Sequence, residues 1–242
     1  MKQVSFCLTI LVLFLFPIFS LRAENQCLVC HEQAAVRKNS VHDYAEWKGS
    51  PHASNNITCE MCHGGNAEEP SKAKAHAGII PAGDPKSPLY FSNLPETCGK
   101  CHEGELKQFR KSYHYSELKR TGRGPNCATC HGVMATRILT PSELKETCSI
   151  CHKERPIADE ALVTLNLASQ AVEKLKKGVD DARQKGKEVG PAENSLKALQ
   201  KRLKELKVSW HSFNLPPLAD EAKQLADTAR EEVERLRLAT GT

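Results

Sequence analysis

Five copies of one short motif constrain this 242-residue chain more than anything else in it. They are Cys27-Leu-Val-Cys30-His31, Cys59-Glu-Met-Cys62-His63, Cys98-Gly-Lys-Cys101-His102, Cys127-Ala-Thr-Cys130-His131 and Cys148-Ser-Ile-Cys151-His152. Together they use ten of the eleven cysteines. C-x-x-C-H is the attachment sequence of c-type haem. Two thiols three positions apart can each add to one haem vinyl group, and the adjacent imidazole then lies under the iron. Other uses of cysteine fit less well. A disulfide scaffold has no need of a histidine after every second cysteine. Zinc ribbons consume C-x-x-C units in pairs, which leaves the fifth over. The sequence therefore predicts five covalent haems c, held through those ten sulfurs, with His31, His63, His102, His131 and His152 as proximal iron ligands.

The haems also decide what kind of core is possible. Aromatic residues make up only 5% of the chain, and residues 24–155 offer about 26 residues per porphyrin, too few to bury an ordinary core. The macrocycles must supply most of the apolar interior. Successive proximal histidines lie 32, 39, 29 and 21 residues apart, so the haem region is one continuous array. Thr140-Pro141-Ser142-Glu143 has the pattern of a capping box with proline at the first helical position, which places the fifth motif on a short helix. Gly64-Gly65, Pro81 to Pro88 and Gly122 to Pro125 read as loops, and no stretch has a strand pattern. The fold class expected is mainly α with little or no sheet.

At the N-terminus, Lys2 precedes an apolar run from Phe6 to Phe19, and Ala23 offers a small residue for cleavage. This is the layout of a secretory signal peptide over residues 1–23, with retention as an anchor the alternative. No later segment is apolar enough to cross a bilayer, so the mature chain is expected to be exported, soluble and periplasmic or otherwise extracytoplasmic. The formal net charge of +5 falls to +3 without residues 1–23. Ionised propionates on five haems would bring the holoprotein to about −2 when oxidised and about −7 when reduced. The basic sequence is therefore not a nucleic-acid or membrane signal.

Composition shifts in residues 156–242. Ala161, Leu165, Ala168, Val172, Leu175, Val179 and Ala182 recur four and three apart, as do Ala192, Leu196, Leu199, Leu203 and Leu206, and Leu218, Ala222, Leu225, Ala229, Val233 and Leu236. Each series forms an apolar stripe on one helix face. Gly186 to Pro191 and Asn214 to Pro217 punctuate them. The segment is expected to form a helical hairpin or three-helix arrangement following the haem-cored domain of residues 24–155.

Five histidines remain outside the motifs: His42, His52, His76, His114 and His211. Five haems and five spare histidines would complete bis-histidine ligation throughout. Trp47-x-x-Ser50-x-His52 and Phe109-x-x-Ser112-x-His114 share one pattern, and Ser40-Val-His42 follows the first motif much as Ser112-Tyr-His114 follows the third. The serines could help orient the rings. Met134, three residues after His131, is the rival to a distal histidine there. A distal histidine close in sequence to a proximal one lies on the same side of that porphyrin, so ligation between different motifs is expected.

On the five motifs, the Cys62-His63-Gly64-Gly65 stretch followed by Ala75-His76, and the Ser-x-His elements, the chain resembles the multihaem c-type cytochromes. The lineage in view includes tetrahaem electron carriers, hydroxylamine oxidoreductases and multihaem nitrite reductases. It departs from the nitrite reductases in having no motif with lysine in place of histidine, and from the oxidoreductases in having fewer haems on a shorter chain. The resemblance implies an electron carrier of anaerobic respiration, with redox protein partners such as a membrane quinol dehydrogenase or a terminal reductase. The alternative is an oxidoreductase acting on a small nitrogen or sulfur compound at one open haem, near Tyr113, Tyr115, Lys119 and Arg123, which requires that His211 not be a ligand. A third possibility, a quinol-oxidising subunit, depends on the N-terminal run being kept as an anchor.

Overall fold

The computed structural model describes residues 24–33, 43–134, 139–153 and 158–241. Residues 1–23, expected to be a signal peptide, His42 and the 155/156 boundary lie outside the described residues. Every regular element among the described residues is helical, as the sequence predicts. The N-terminal part is a string of short helices: α1 (Gln26–Gln33), α2 (Tyr44–Lys48), α3 (Pro51–Ser54), α4 (Cys59–His63), α5 (Lys72–Ala75), α6 (Leu94–Cys98), α7 (Glu103–Phe109), α8 (Tyr113–Thr121), α9 (Cys127–His131) and α10 (Pro141–Ser149). None of α1 to α5 contains a buried residue. Helices this short do not hold themselves in water. Their order comes from caps and from what they surround.

The caps are explicit. Asp43, Ser50, Ser112, Asn126 and Thr140 each accept a backbone N–H of the helix that follows. The capping box at Thr140 and Glu143 forms as expected, with Pro141 in the first turn. Helices α4 and α9 stop directly after their histidine, at Gly64 (φ 76°) and Gly132 (φ 74°), a backbone region that other residues enter only at a cost.

The C-terminal part is different in kind. Helices α11 (Ala158–Gln184), α12 (Gly190–Ser209) and α13 (Leu215–Thr240) pack into a three-helix unit. All three predicted stripes face inward, with Leu175, Val179, Ala168, Ala222 and Ala229 fully buried. The two longest helices meet along alanines, and a methyl at Gly178 would already crowd Leu236. Both punctuation segments are shorter than the sequence suggests: α12 starts at Gly190 and α13 at Leu215. Pro191, Pro216 and Pro217 fall in first turns, where a missing N–H breaks no helical bond.

The two parts share a core. Leu139 and Leu144 pack with Ala158, Ala161 and Leu215, with Cys130 and Cys148 of the last two motifs against them. Trp210 touches this cluster and the three-helix core alike. It opens a single 3-10 turn, Trp210–Ser212, which lies against α7.

Candidate haem-binding site

In three motifs a helix sets the two cysteines three residues apart on one face, and in the other two a turn continuing from the helix end does so. Cys27 to His31 lie in α1, Cys59 to His63 form α4, and Cys127 to His131 form α9. Cys98 ends α6 and Cys148 lies near the end of α10. Among the described residues none of the ten cysteines is paired in a disulfide, and no three His, Cys, Asp or Glu side chains converge on a metal-ion position. Burial, with Cys27 and Glu60 nearby, pushes the Cys59 thiol up to about 11. Burial also raises Cys27, Cys62 and Cys148. The Cys98 thiol is lowered instead, by its hydrogen bond with Cys127.

The motifs neighbour one another in chain order. Cys59 feels the charge of Cys27, Cys62 feels Cys98 and Cys101, and Cys98 and Cys127 are hydrogen-bonded through their side chains. Cys130 and Cys148 join the same apolar cluster.

The histidines pair across motifs. His31 faces His76 with ring centres 6.1 Å apart, and His102 faces His52 at 6.3 Å. His152 faces His114 at 5.9 Å, and His131 faces His211 at 6.1 Å. Two imidazoles bound through Nε2 to opposite sides of one metal ion have ring centres about 6 Å apart, given metal–nitrogen bonds of about 2.0 Å. The four separations match that span, which is too wide for ring stacking and leaves room for a porphyrin plane. Each of the four pairs joins a motif histidine to one that lies outside its own motif. His42 lies outside the described residues.

Three of the candidate distal rings are oriented through their Nδ1 nitrogen. His76 Nδ1 lies 2.7 Å from the Lys72 carbonyl, His52 Nδ1 3.1 Å from the Met134 carbonyl, and His211 Nδ1 3.1 Å from the Val208 carbonyl. A carbonyl only accepts, so Nδ1 carries the proton and Nε2 keeps its lone pair for iron. Burial lowers the proton affinity of His211 and His114, which keeps both neutral.

Three sequence expectations need correction. Ser50 and Ser112 do not orient the rings. Their hydroxyls accept the Ala53 and Tyr115 backbone N–H groups and so start the short helices that carry His52 and His114. Met134 contributes its main-chain oxygen to His52, and the position opposite His131 holds His211. Tyr115 and Lys119 both bind the Glu96 carboxylate, at 2.6 and 3.3 Å, instead of lining an open site. Sequence reasoning missed the carbonyl partners. Lys72 and Val208 stand one turn before their histidines, a signal visible only once those turns are known to be helical; Met134 is 82 residues from His52.

The family described as cytochrome c554 and c-prime matches residues 16–64, which hold the first two motifs. The C-type polyheme cytochrome OmcB of Geobacter sulfurreducens is 27% identical over 119 residues in each of two strains, covering 45% of this chain. The chain spans about 14% of the length of those curated relatives. No solved structure matches. With the repeated attachment motif and the helical fold, these likenesses support a multihaem c-type cytochrome.

Proposed function

We propose that the chain carries electrons through five covalently bound haems, each held between two imidazoles, in an extracytoplasmic respiratory chain. The observation that carries this reading is the set of four imidazole pairs at 5.9–6.3 Å. The pairs are His31 with His76, His102 with His52, His131 with His211, and His152 with His114. His42 is the candidate that remains for the haem at His63. When bound, c-type haem supplies a one-electron ferric/ferrous couple.

The chain's own residues define what that couple can do. An imidazole on each face leaves no position for a substrate, so exchange is limited to electrons. Contacts between successive motifs support an ordered path from the first to the fifth. The apolar run of residues 6–19 and Ala23 support export, and the likeness to tetrahaem carriers supports a quinol dehydrogenase or a terminal reductase as partner. The alternative, an oxidoreductase with one open haem, needs His211 off the iron, and His211 stands opposite His131.

Low-temperature EPR of the oxidised holoprotein tests the reading. Only low-spin ferric signals are expected, unchanged by nitrite or hydroxylamine. A high-spin component that responds to either would overturn it. Mass spectrometry of the purified protein should find Glu24 at the N-terminus and the mass of five haems.

A further inference from the structure

We propose that Phe213 is the positioning residue for His114, holding that ring crosswise to His152 in place of the hydrogen bond the other described distal imidazoles have. The inference rests on the bis-histidine reading above.

Three observations converge on it. The Nδ1 atom of His114 is buried and has no hydrogen-bond partner among the described residues, whereas His52, His76 and His211 each have a carbonyl there. No polar contact at Nδ1 therefore fixes the rotation of the His114 ring. The Phe213 ring lies 4.5 Å from it at 89°, a perpendicular aromatic contact, and is backed by buried Phe109 at 6.3 Å. Phe213 itself adopts a left-handed backbone (φ 57°, ψ 19°), where a β-substituted residue is strained. Strain of this kind persists where the surroundings over-determine it. Here the left-handed residue closes the 3-10 turn, its N–H bonded to the Trp210 carbonyl at 2.9 Å. One short segment thus places the His211 imidazole opposite His131 and, two residues later, the Phe213 ring on His114.

Two physical consequences follow for the chain's histidines. A hydrogen bond at Nδ1 makes an imidazole a stronger donor and lowers the potential of the iron it binds. Without one, His114 is the weaker donor, which favours the reduced state at that centre. Ring planes also differ between pairs: 66° for His114 with His152 and 71° for His52 with His102, against 22° for His31 with His76 and 28° for His131 with His211. Crosswise planes give a highly anisotropic low-spin ferric EPR signal, and near-parallel planes give a rhombic one.

The test is EPR-monitored redox titration of oxidised holoprotein, wild type against Phe213→Gly and Phe213→Tyr. Glycine removes the ring and keeps the left-handed turn; tyrosine keeps the ring. The wild type should show both signal types. Phe213→Gly should shift or broaden one highly anisotropic component and lower its midpoint potential as water reaches Nδ1, with the rhombic signals intact. Phe213→Tyr should restore the wild-type component. An unchanged spectrum in Phe213→Gly would sink the proposal. So would loss of the His131/His211 rhombic signal along with it, which would make Phe213 a general support of the turn. A wild type with no low-spin signal of either type would instead refute the bis-histidine reading itself.

Discussion

His131 and His211 lie eighty residues apart in sequence, yet their rings face each other with centres 6.1 Å apart and planes 28° from parallel. One belongs to a haem motif and the other to a turn between the long C-terminal helices. The three-helix unit is therefore more than an appendage, since the turn between its last two helices brings an imidazole opposite a motif histidine. Replacing His211 by alanine should open one position on the iron at His131. Oxidised holoprotein should then gain one high-spin EPR component and bind carbon monoxide when reduced, with the other low-spin signals kept. A fully low-spin His211→Ala spectrum would refute the pairing.

Met134 offers the complementary test. Its contribution is a main-chain carbonyl, which any side chain leaves in place. Met134→Leu should leave both the low-spin EPR spectrum and the midpoint potentials within experimental scatter of wild type. A large drop in one potential would mean that the thioether is a ligand after all.

Leu175 is fully buried at the heart of the three-helix core. Truncation to alanine leaves a cavity and should cost about 3 kcal/mol. The cost should be read by thermal denaturation of the holoprotein, following helix content. Because Trp210 joins this core to the cluster holding Cys130 and Cys148, the low-spin signal of the His131/His211 centre should disappear in the same transition.

Glu96 ties the third motif to the helix bearing His114, through Tyr115 and Lys119. Burial alone would raise its pKa, but the Tyr115 hydrogen bond and the Lys119 charge outweigh that and bring it below the usual carboxylate value. A carboxyl with a depressed folded-state pKa adds stability above its unfolded value of 4.5, and that stability is lost as pH falls through the lower folded value. Glu96→Gln should cost about 1 kcal/mol at neutral pH, a modest figure because the group is partly in water. The gap between the two melting curves should close once the pH is well below 4.5. A gap that persists in acid would assign the effect to packing.

How much of this was legible beforehand differs between elements. The five motifs were readable because haem attachment is local chemistry: two thiols and an imidazole must sit within five residues, whatever the rest of the chain does. The stripe from Ala161 to Ala182 was equally plain, since a 27-residue helix repeats its pattern many times over. The serine at position 50 was seen but misread, because a helix of four residues gives no periodicity by which a capping role could be recognised.

Covalent spacing and hydrophobic period are both short-range properties, so candidate attachment points, candidate ligands and the inward faces of α11 to α13 were legible in the order of amino acids alone. Tertiary structure decided which imidazole stands near which, which rings have a carbonyl at Nδ1 and which a Phe213 contact, and that His211 reaches back to His131. Those choices depend on distances between residues up to 82 positions apart, which no local pattern encodes. They are fixed only when the short helices close around a common interior.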